Sequence, residues 1–380
     1  RGRTVVAALY PLRRFVLSDR PWPVDSILMG PLRKILIPDF RSWPVDDRSY
    51  SIETLATVAR ATFVREGDVY LMLPSGDIWL AADTDLTRPW KNLGNPIRSQ
   101  QARVRRPGPS CVFGSSRGVV FASTTDGVTY RSANAGRTWE TSLGVTVWRM
   151  AEDDAGGLYA GNYDAGEKTG ATLYKSDDGG CSWRVAFQDR RTQHVHTVRW
   201  DEQAKRLYIA FGDDLRWRGQ ACSDDRGGHF RILARGKTRG HTDVGFTRHY
   251  VVWGSDDDSG RVYRVRRGGD SVEAVTGHTQ YIWFVVARDE QLYVGTMAQS
   301  ERDAAAAAVL ASHDEGDSWQ KLLPLDTSAG RGLGFGSESR ELSANGWLYF
   351  SGGSRTYRVR RIASVASAGQ PLQAGGGEAS

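Results

Sequence analysis

The feature that most constrains this 380-residue chain is a short phrase that recurs along it. Residues 176–183 read SDDGGCSW, 312–319 read SHDEGDSW, 132–139 read SANAGRTW and 223–230 read SDDRGGHF. The shared frame is Ser-x-Asp-x-Gly-x-(Ser/Thr)-Trp, with Asn134 in place of the Asp in one copy and His229-Phe230 closing another. Each position has a physical job. The Asp side chain accepts backbone N–H groups inside a tight turn. The Gly supplies a positive φ without steric cost. The aromatic folds back onto an apolar layer, worth about 1.5–3 kcal/mol where it is buried.

The spacing of the phrase predicts the architecture. Copies start at 132, 176, 223 and 312, so the steps are 44, 47 and 89 residues, the last about twice the first. A unit without the phrase is therefore expected near 267, where residues 262–267 (VYRVRR) read as its last strand, and residues 356–361 (TYRVRR) repeat that text one period after 312. One period before 132, Asp83 and Trp90 keep the acid and the aromatic of a decayed copy. Seven units result, with a period in the mid-forties, the length of a four-stranded propeller blade. Between the copies, GLYAGNYD (157–164), RLYIAFGDD (206–214), YVVWGSDD (250–257) and QLYVGTMA (291–298) read as strands stopped by Gly or Asp. The expected fold is an all-β, seven-bladed β-propeller of four-stranded antiparallel blades. Six or eight blades stay open, because the first sixty residues carry no clear repeat. Residues 1–50 read as a lead-in that packs on the propeller or donates a closing strand, 51–361 as the propeller with its first blade from about 52, and 362–380 as a disordered Ala/Gly/Ser/Gln-rich tail.

Composition agrees and narrows the function classes. The 43 Gly, 13 Trp and 14 Tyr suit many short strands and turns. A net charge of +6 favours acidic partners such as uronic or sialic acids and anionic glycans. No nucleic-acid motif is present. Cys111, Cys181 and Cys222 form neither a disulfide framework nor a zinc motif. No apolar run is long enough to span a bilayer. The chain opens on Arg1 rather than Met, which is compatible with a removed leader, and an extracellular or periplasmic monomer is the expectation.

In an up-and-down blade, the start of the first strand and the end of the second share one face, and the recurring turn after the third lies on the other. The recurring turns are thus structural, and a site is expected from the first set of positions. Before or at first strands stand Arg105 (or Arg106), Trp148, His194 with His196, Arg239 with His241, Tyr281 with Trp283, and Arg331; after second strands stand Asp164, Asp213 and Asp256. Arginines bind carboxylates bidentately, and Trp148 and Trp283 offer faces for sugars. His194 and His196, two apart on a strand, face the same way and can move a proton near neutral pH, as can Tyr281. Asp213 is placed to orient an imidazole. The catalytic set is thus His194, His196, Tyr281 and Asp213, and the substrate-binding set Arg105, Trp148, Arg239, His241, Asp256, Trp283 and Arg331. No metal is assigned, since no third His is near in sequence. A structural calcium at Asp256, Asp257 and Asp258 beside Gly260 is the one cofactor considered.

The recurring phrase resembles the Asp-box, the bacterial-neuraminidase repeat of sialidase-like β-propellers, over roughly residues 80–360. The resemblance implies a propeller and, in sialidases, three arginines on the substrate carboxylate, a Tyr–Glu nucleophile and an Asp acid/base. The Phe/Tyr-Arg-Ile-Pro motif usual in sialidases has its nearest text at Leu36-Ile37-Pro38, without the aromatic or the Arg. The His/Tyr/Arg ring looks instead like that of propeller polysaccharide lyases, in which Arg or a cation neutralises a uronate, His or Tyr removes the C5 proton, and Tyr or His protonates the leaving oxygen. The expected function is a carbohydrate-active enzyme on an acidic glycan, by β-elimination or glycoside hydrolysis. The alternative is a non-catalytic propeller that binds glycan or protein through the same face.

Overall fold

The computed structural model describes residues 49–99, 108–163, 169–236, 241–256, 260–269, 271–276, 281–297, 307–324, 335–339, 341–352 and 355–362. The tail from 363 and the lead-in up to 48 lie outside them. The strands form seven four-stranded antiparallel sheets, each meandering from an inner to an outer strand, and the sheets are the blades of a propeller. The inner strands of blades one to seven are Ala61–Arg65, Pro109–Gly114, Val147–Glu152, Val195–Asp201, His241–Phe246, Tyr281–Arg288 and Phe335–Glu338. The one described helix, Pro96–Ser99, is a single turn. No helix among the described residues is long and apolar enough to cross a membrane.

The middle strands read as near-continuous apolar runs because a neighbouring blade covers each of their faces. Leu158–Asn162 is buried throughout, as is Arg206–Phe211 after its first residue. Outer strands such as Arg184–Asp189 are half exposed and mixed in composition. Close blade-to-blade approach needs a missing side chain in places. A Cβ on Gly254, in the second strand of blade five, would lie 2.2 Å from Ile282 Cγ2 at the start of blade six.

Two boundaries differ from the sequence reading. The strand near residue 52 does not open blade one. Tyr50–Leu55 pairs antiparallel with Arg355–Arg361, from Tyr50↔Arg361 to Leu55↔Thr356, and is the outer strand of blade seven. It covers an edge that would otherwise present unpaired backbone groups, and blade one begins at Ala61. The second difference is that Val262–Arg266 and Arg355–Arg361 are third strands, not last ones. The text VYRVRR repeats because third strands share an environment, and the outer strand that follows carries little apolar signal.

The recurring turns sit between third and outer strands and share one hydrogen-bond scheme. Ser176 Oγ accepts from Gly180 N at 2.8 Å, and Asp178 Oδ1 accepts from Ser182 N at 2.9 Å. The copy at 312 repeats both bonds at 2.8 and 2.9 Å. Their aromatics Trp139, Trp183, Phe230 and Trp319 occupy equivalent positions but are half buried rather than buried, because each covers a seam between blades instead of entering a blade's core.

The hydroxyl of Ser182, its backbone N–H and the Ser176 hydroxyl hold the Asp178 carboxyl well below the usual carboxylate range. A depressed folded value contributes stability above the unfolded Asp pKa, about 3.9, and that stability is lost as pH falls below it. Asp178→Asn is therefore expected to melt lower than the parent at pH 7 and to lose less stability than the parent on acidification. Parallel melting-temperature curves of the two proteins from pH 7 to pH 3 would show that the turn is not held by its carboxylate.

Candidate functional site at the channel mouth

The first residues of inner strands pair with the last residues of second strands, as in Val195↔Phe211, His241↔Ser255 and Tyr281↔Met297, so both sets emerge on one face. The inner strands are irregular there. The pairing register shifts between Val147 and Arg149, between Val195 and Thr197, and between Ile282 and Phe284. Trp148, His196 and Trp283 are thus the extra residues of three β-bulges, a device that re-aims a side chain out of the regular alternation. His194 and Tyr281 share the position two residues before the bulge.

These bulges bring the predicted residues together. Blades three and six face each other across the ring, and the rings of Trp148 and Trp283 meet at a centroid distance of 4.9 Å. Tyr163 stands between Trp148 and His194, 4.3 Å from each ring. His196 Nε2 lies 2.9 Å from His194 Nε2 and 2.8 Å from Asp213 Oδ1, while His194 Nε2 is 3.4 Å from the same oxygen. On its other edge, His196 Nδ1 is 3.5 Å from Asp256 Oδ2. Both imidazoles are buried, and Asp213 is half exposed. Burial pushes the Asp213 carboxyl upward, but hydrogen bonds from His194 and His196 and the field of both rings outweigh it and hold the group below the usual carboxylate range.

Local structure fixes these groups. Gly212 follows the second strand of blade four with φ +82, and a Cβ there would lie 1.7 Å from Thr192 Oγ1. Gln193 Oε1 accepts from the backbone N–H of Asp213 at 3.1 Å and of Asp214 at 3.4 Å, so the residue before His194 holds the loop that carries its carboxylate. The buried Arg218 donates from Nη1 to the carbonyl of Asp256 at 2.7 Å. Arg149, also buried, lays its guanidinium 4.1 Å over the Trp148 ring and donates to the Trp148 carbonyl, a cation–π contact.

Of the expected residues, His194, His196, Asp213, Asp256, Trp148 and Trp283 therefore converge. Tyr281 opens the blade-six strand on the same face. Arg105, Arg239 and Arg331, together with Asp164, Asp257 and Asp258, lie outside the described residues, as does the side chain of His241. Sequence reasoning missed Tyr163, although it directly follows a second strand and was next to the residue chosen there. It also missed Gln193, Arg149 and Arg218, which act through contacts that no repeat encodes.

The convergence of His194 and His196 with Asp213 has a further capacity. One nitrogen from each ring and one carboxylate oxygen all lie within 4.8 Å of one another, a geometry that can hold a divalent metal ion. A carboxylate behind the second nitrogen of His196 is the arrangement that orients a metal-ligating imidazole. Among the described residues, no second cluster of this kind stands at the other end of the channel. That end opens as a cavity of about 720 Å³, whose lining includes the ion pair Arg65–Glu152 at 2.5 Å.

Gly212→Ala should force the turn that carries Asp213 apart and cost about 1–3 kcal/mol, the range for strained non-Gly backbone. A melting temperature equal to the parent's would mean the turn is not constrained as described.

No family model matches the chain, and no curated protein matches it. Solved structures do. Virginiamycin B lyase from Staphylococcus aureus is similar with a TM-score of 0.59 at 10% identity, over 82% of this chain and all of that one. YCF48 bound to D1 peptide is similar with a TM-score of 0.57 at 12% identity, over 86% of this chain and all of that one. The structure of U3-55K gives 0.57 at 12% identity, over 83% of this chain and all of that one. At such identities the likeness establishes the fold alone: the chain is a seven-bladed β-propeller.

Proposed function

We propose that the channel mouth is the active site of a carbohydrate-active enzyme that cleaves an acidic, uronate-containing glycan by β-elimination. The observation that carries this reading is the contact of two buried imidazoles with each other and with one carboxylate, at 2.8–3.4 Å, beside a wall of Trp148, Tyr163 and Trp283. The aromatic faces suit the apolar faces of sugar rings. One imidazole takes the C5 proton, the C5–H electron pair forms the C4=C5 bond, the C4–O bond breaks, and the leaving oxygen takes a proton from the partner imidazole or from Tyr281. Asp213 stabilises the imidazolium that forms, and Asp256 holds the other edge of His196. Arg149 places a cation behind Trp148, and Arg105, Arg239 and Arg331 are the further candidates for the uronate carboxylate. The recurring turns support the accompanying reading that the chain is an Asp-box propeller of the sialidase-like kind, for which glycoside hydrolysis at the same groups is the alternative chemistry.

A second reading has its own observation, the three convergent ligand atoms of His194, His196 and Asp213. In it His194, His196 and Asp213 would hold a divalent cation, which would supply the charge that neutralises the uronate, and Tyr281 would be left as the proton-transfer group. A non-catalytic propeller that binds a glycan or a protein through this face is the remaining alternative, and virginiamycin B lyase and YCF48 bound to a peptide exemplify both uses of the fold.

The test is a panel of polyuronates and neutral glucans, read by ultraviolet absorbance of the unsaturated product and by reducing ends. We expect turnover on a uronate polymer and none on neutral glucans. His196→Ala should lower kcat by about 10²–10⁴-fold, the usual contribution of a general acid–base group, with the melting temperature near the parent's. Loss of activity on chelation, restored by a divalent cation, would select the second reading. Binding without turnover would select the non-catalytic one, and full activity in both His194→Ala and His196→Ala would remove the site from this face.

A further inference from the structure

The aromatics of the recurring turns all do the same thing: each covers the outer strand of the blade before its own. Trp139 of blade two donates from Nε1 to the carbonyl of Leu93, just beyond the outer strand of blade one, at 3.2 Å. Trp183 of blade three donates to Ser142 Oγ on the outer strand of blade two at 2.9 Å, with its ring 6.3 Å from Phe121. Phe230 of blade four lies 5.3 Å from Phe187 on the outer strand of blade three. Trp319 of blade six joins the cluster that holds Val275, on the outer strand of blade five. Even the decayed copy obeys the rule, since Trp90 of blade one joins the cluster that holds Leu55, on the outer strand of blade seven.

Blade five breaks it. In place of the phrase it carries a short turn closed by Gly269 N donating to the Arg266 carbonyl at 2.9 Å, with Gly268 at φ +75. This turn itself carries no aromatic back onto the outer strand of blade four, where Leu233 packs only in the cluster of strand residues such as Trp253 and Tyr263. The seam between blades four and five is correspondingly open, as a cavity of about 600 Å³. Tyr208, Leu233 and Trp253 line it, with Gln220, Arg231 and Arg266. Three features mark it as more than a packing gap. Gln220 is buried, yet its Nε2 finds no hydrogen-bond partner among the described residues, and an unmade buried donor is destabilising. Arg231 and Arg266 are exposed, and neither pairs with a carboxylate among the described residues. Arg206, on the same wall, is paired with Asp224, so the groove keeps a positive excess.

We infer that this seam is a binding site for an acidic peptide segment of a partner protein that inserts an aromatic side chain. The partner would supply in trans what five other seams receive in cis: an aromatic on an outer strand, delivered by a turn. The aromatic floor takes the ring, Gln220 donates to a peptide carbonyl or carboxylate, and Arg231 and Arg266 meet the acidic residues beside it. The inference does not depend on the channel-mouth chemistry, because the two sites lie on different parts of the blades.

The chain's own blade-six turn provides the probe, a fluorescein-labelled peptide of sequence SHDEGDSW, which carries three carboxylates and one Trp. Full-chain protein is expected to bind it saturably in a fluorescence-anisotropy titration. Affinity should fall at least about tenfold when the peptide Trp is replaced by Ala, a loss of about 1.4 kcal/mol, and by a similar factor in the double variant Arg231→Glu, Arg266→Glu. Leu233→Trp, which fills the groove from its own wall, should block binding while the melting temperature holds or rises. No saturable binding, or affinity unchanged in both protein variants, overturns the inference. Binding of indole-3-acetate at the groove without binding of the peptide also overturns it, by assigning the seam to a small aromatic acid.

Discussion

Everything in this molecule depends on one packing constraint: a blade cannot bury its own middle strands. Leu158–Asn162 is inaccessible on both faces only because blades two and four cover it, and the same holds around the ring. Stability is therefore a property of the seams. The recurring turns are seam devices, in which a Ser hydroxyl and an Asp carboxylate hold the backbone while an aromatic reaches across to the neighbour. The ring closes by the same logic. Tyr50–Leu55 completes blade seven, with Arg358 paired to Glu53 at 2.6 Å and Ala59 N donating to the buried Thr356 hydroxyl at 2.8 Å.

The channel mouth is where the ring's geometry is turned to chemistry. Inner strands point their side chains at the axis, so residues far apart in sequence meet there, as Trp148 and Trp283 do. The bulges matter because a regular strand would alternate these side chains away from one another. A buried network underpins them. Asp243 of blade five, fully inaccessible, accepts from Thr197 Oγ1 at 2.8 Å and from Arg199 Nη2 at 2.9 Å in blade four, and from Val285 N at 3.1 Å in blade six. Desolvation offsets much of the attraction in a buried ion pair of this kind, so it is weak evidence for net stability. The network links three inner strands, one of which carries His196 and directly follows His194.

The fold was legible because the recurring phrase is a local turn with a local mechanism, and because its spacing counts blades. Three things were not legible for equally physical reasons. A closing strand from the N-terminal segment was one of two expectations, but its place at Tyr50–Leu55 was not legible, because it pairs with residues some three hundred positions away and no local pattern encodes such pairing. The aromatics of the turns read as core residues, since sequence shows that a Trp is kept but not which surface it covers. The two histidines were read as sharing a face through strand periodicity, whereas His194 precedes the strand and His196 is the bulged residue within it. The outcome matched for a different reason. Tyr163 and Gln193 escaped notice because their roles arise from a ring contact and from a side-chain-to-backbone bond.

The central claim is that His194, His196 and Asp213 form one coupled group at the mouth of the channel. Carbon-13 NMR of the Asp213 side-chain carboxyl, assigned by its loss in Asp213→Asn and followed through an acid titration, tests it directly. The account predicts a titration midpoint below the ordinary Asp value of about 3.9, which moves up towards that value in the double variant His194→Ala, His196→Ala. A midpoint at or above the ordinary value in the parent protein, or one unmoved by removal of both imidazoles, would contradict it.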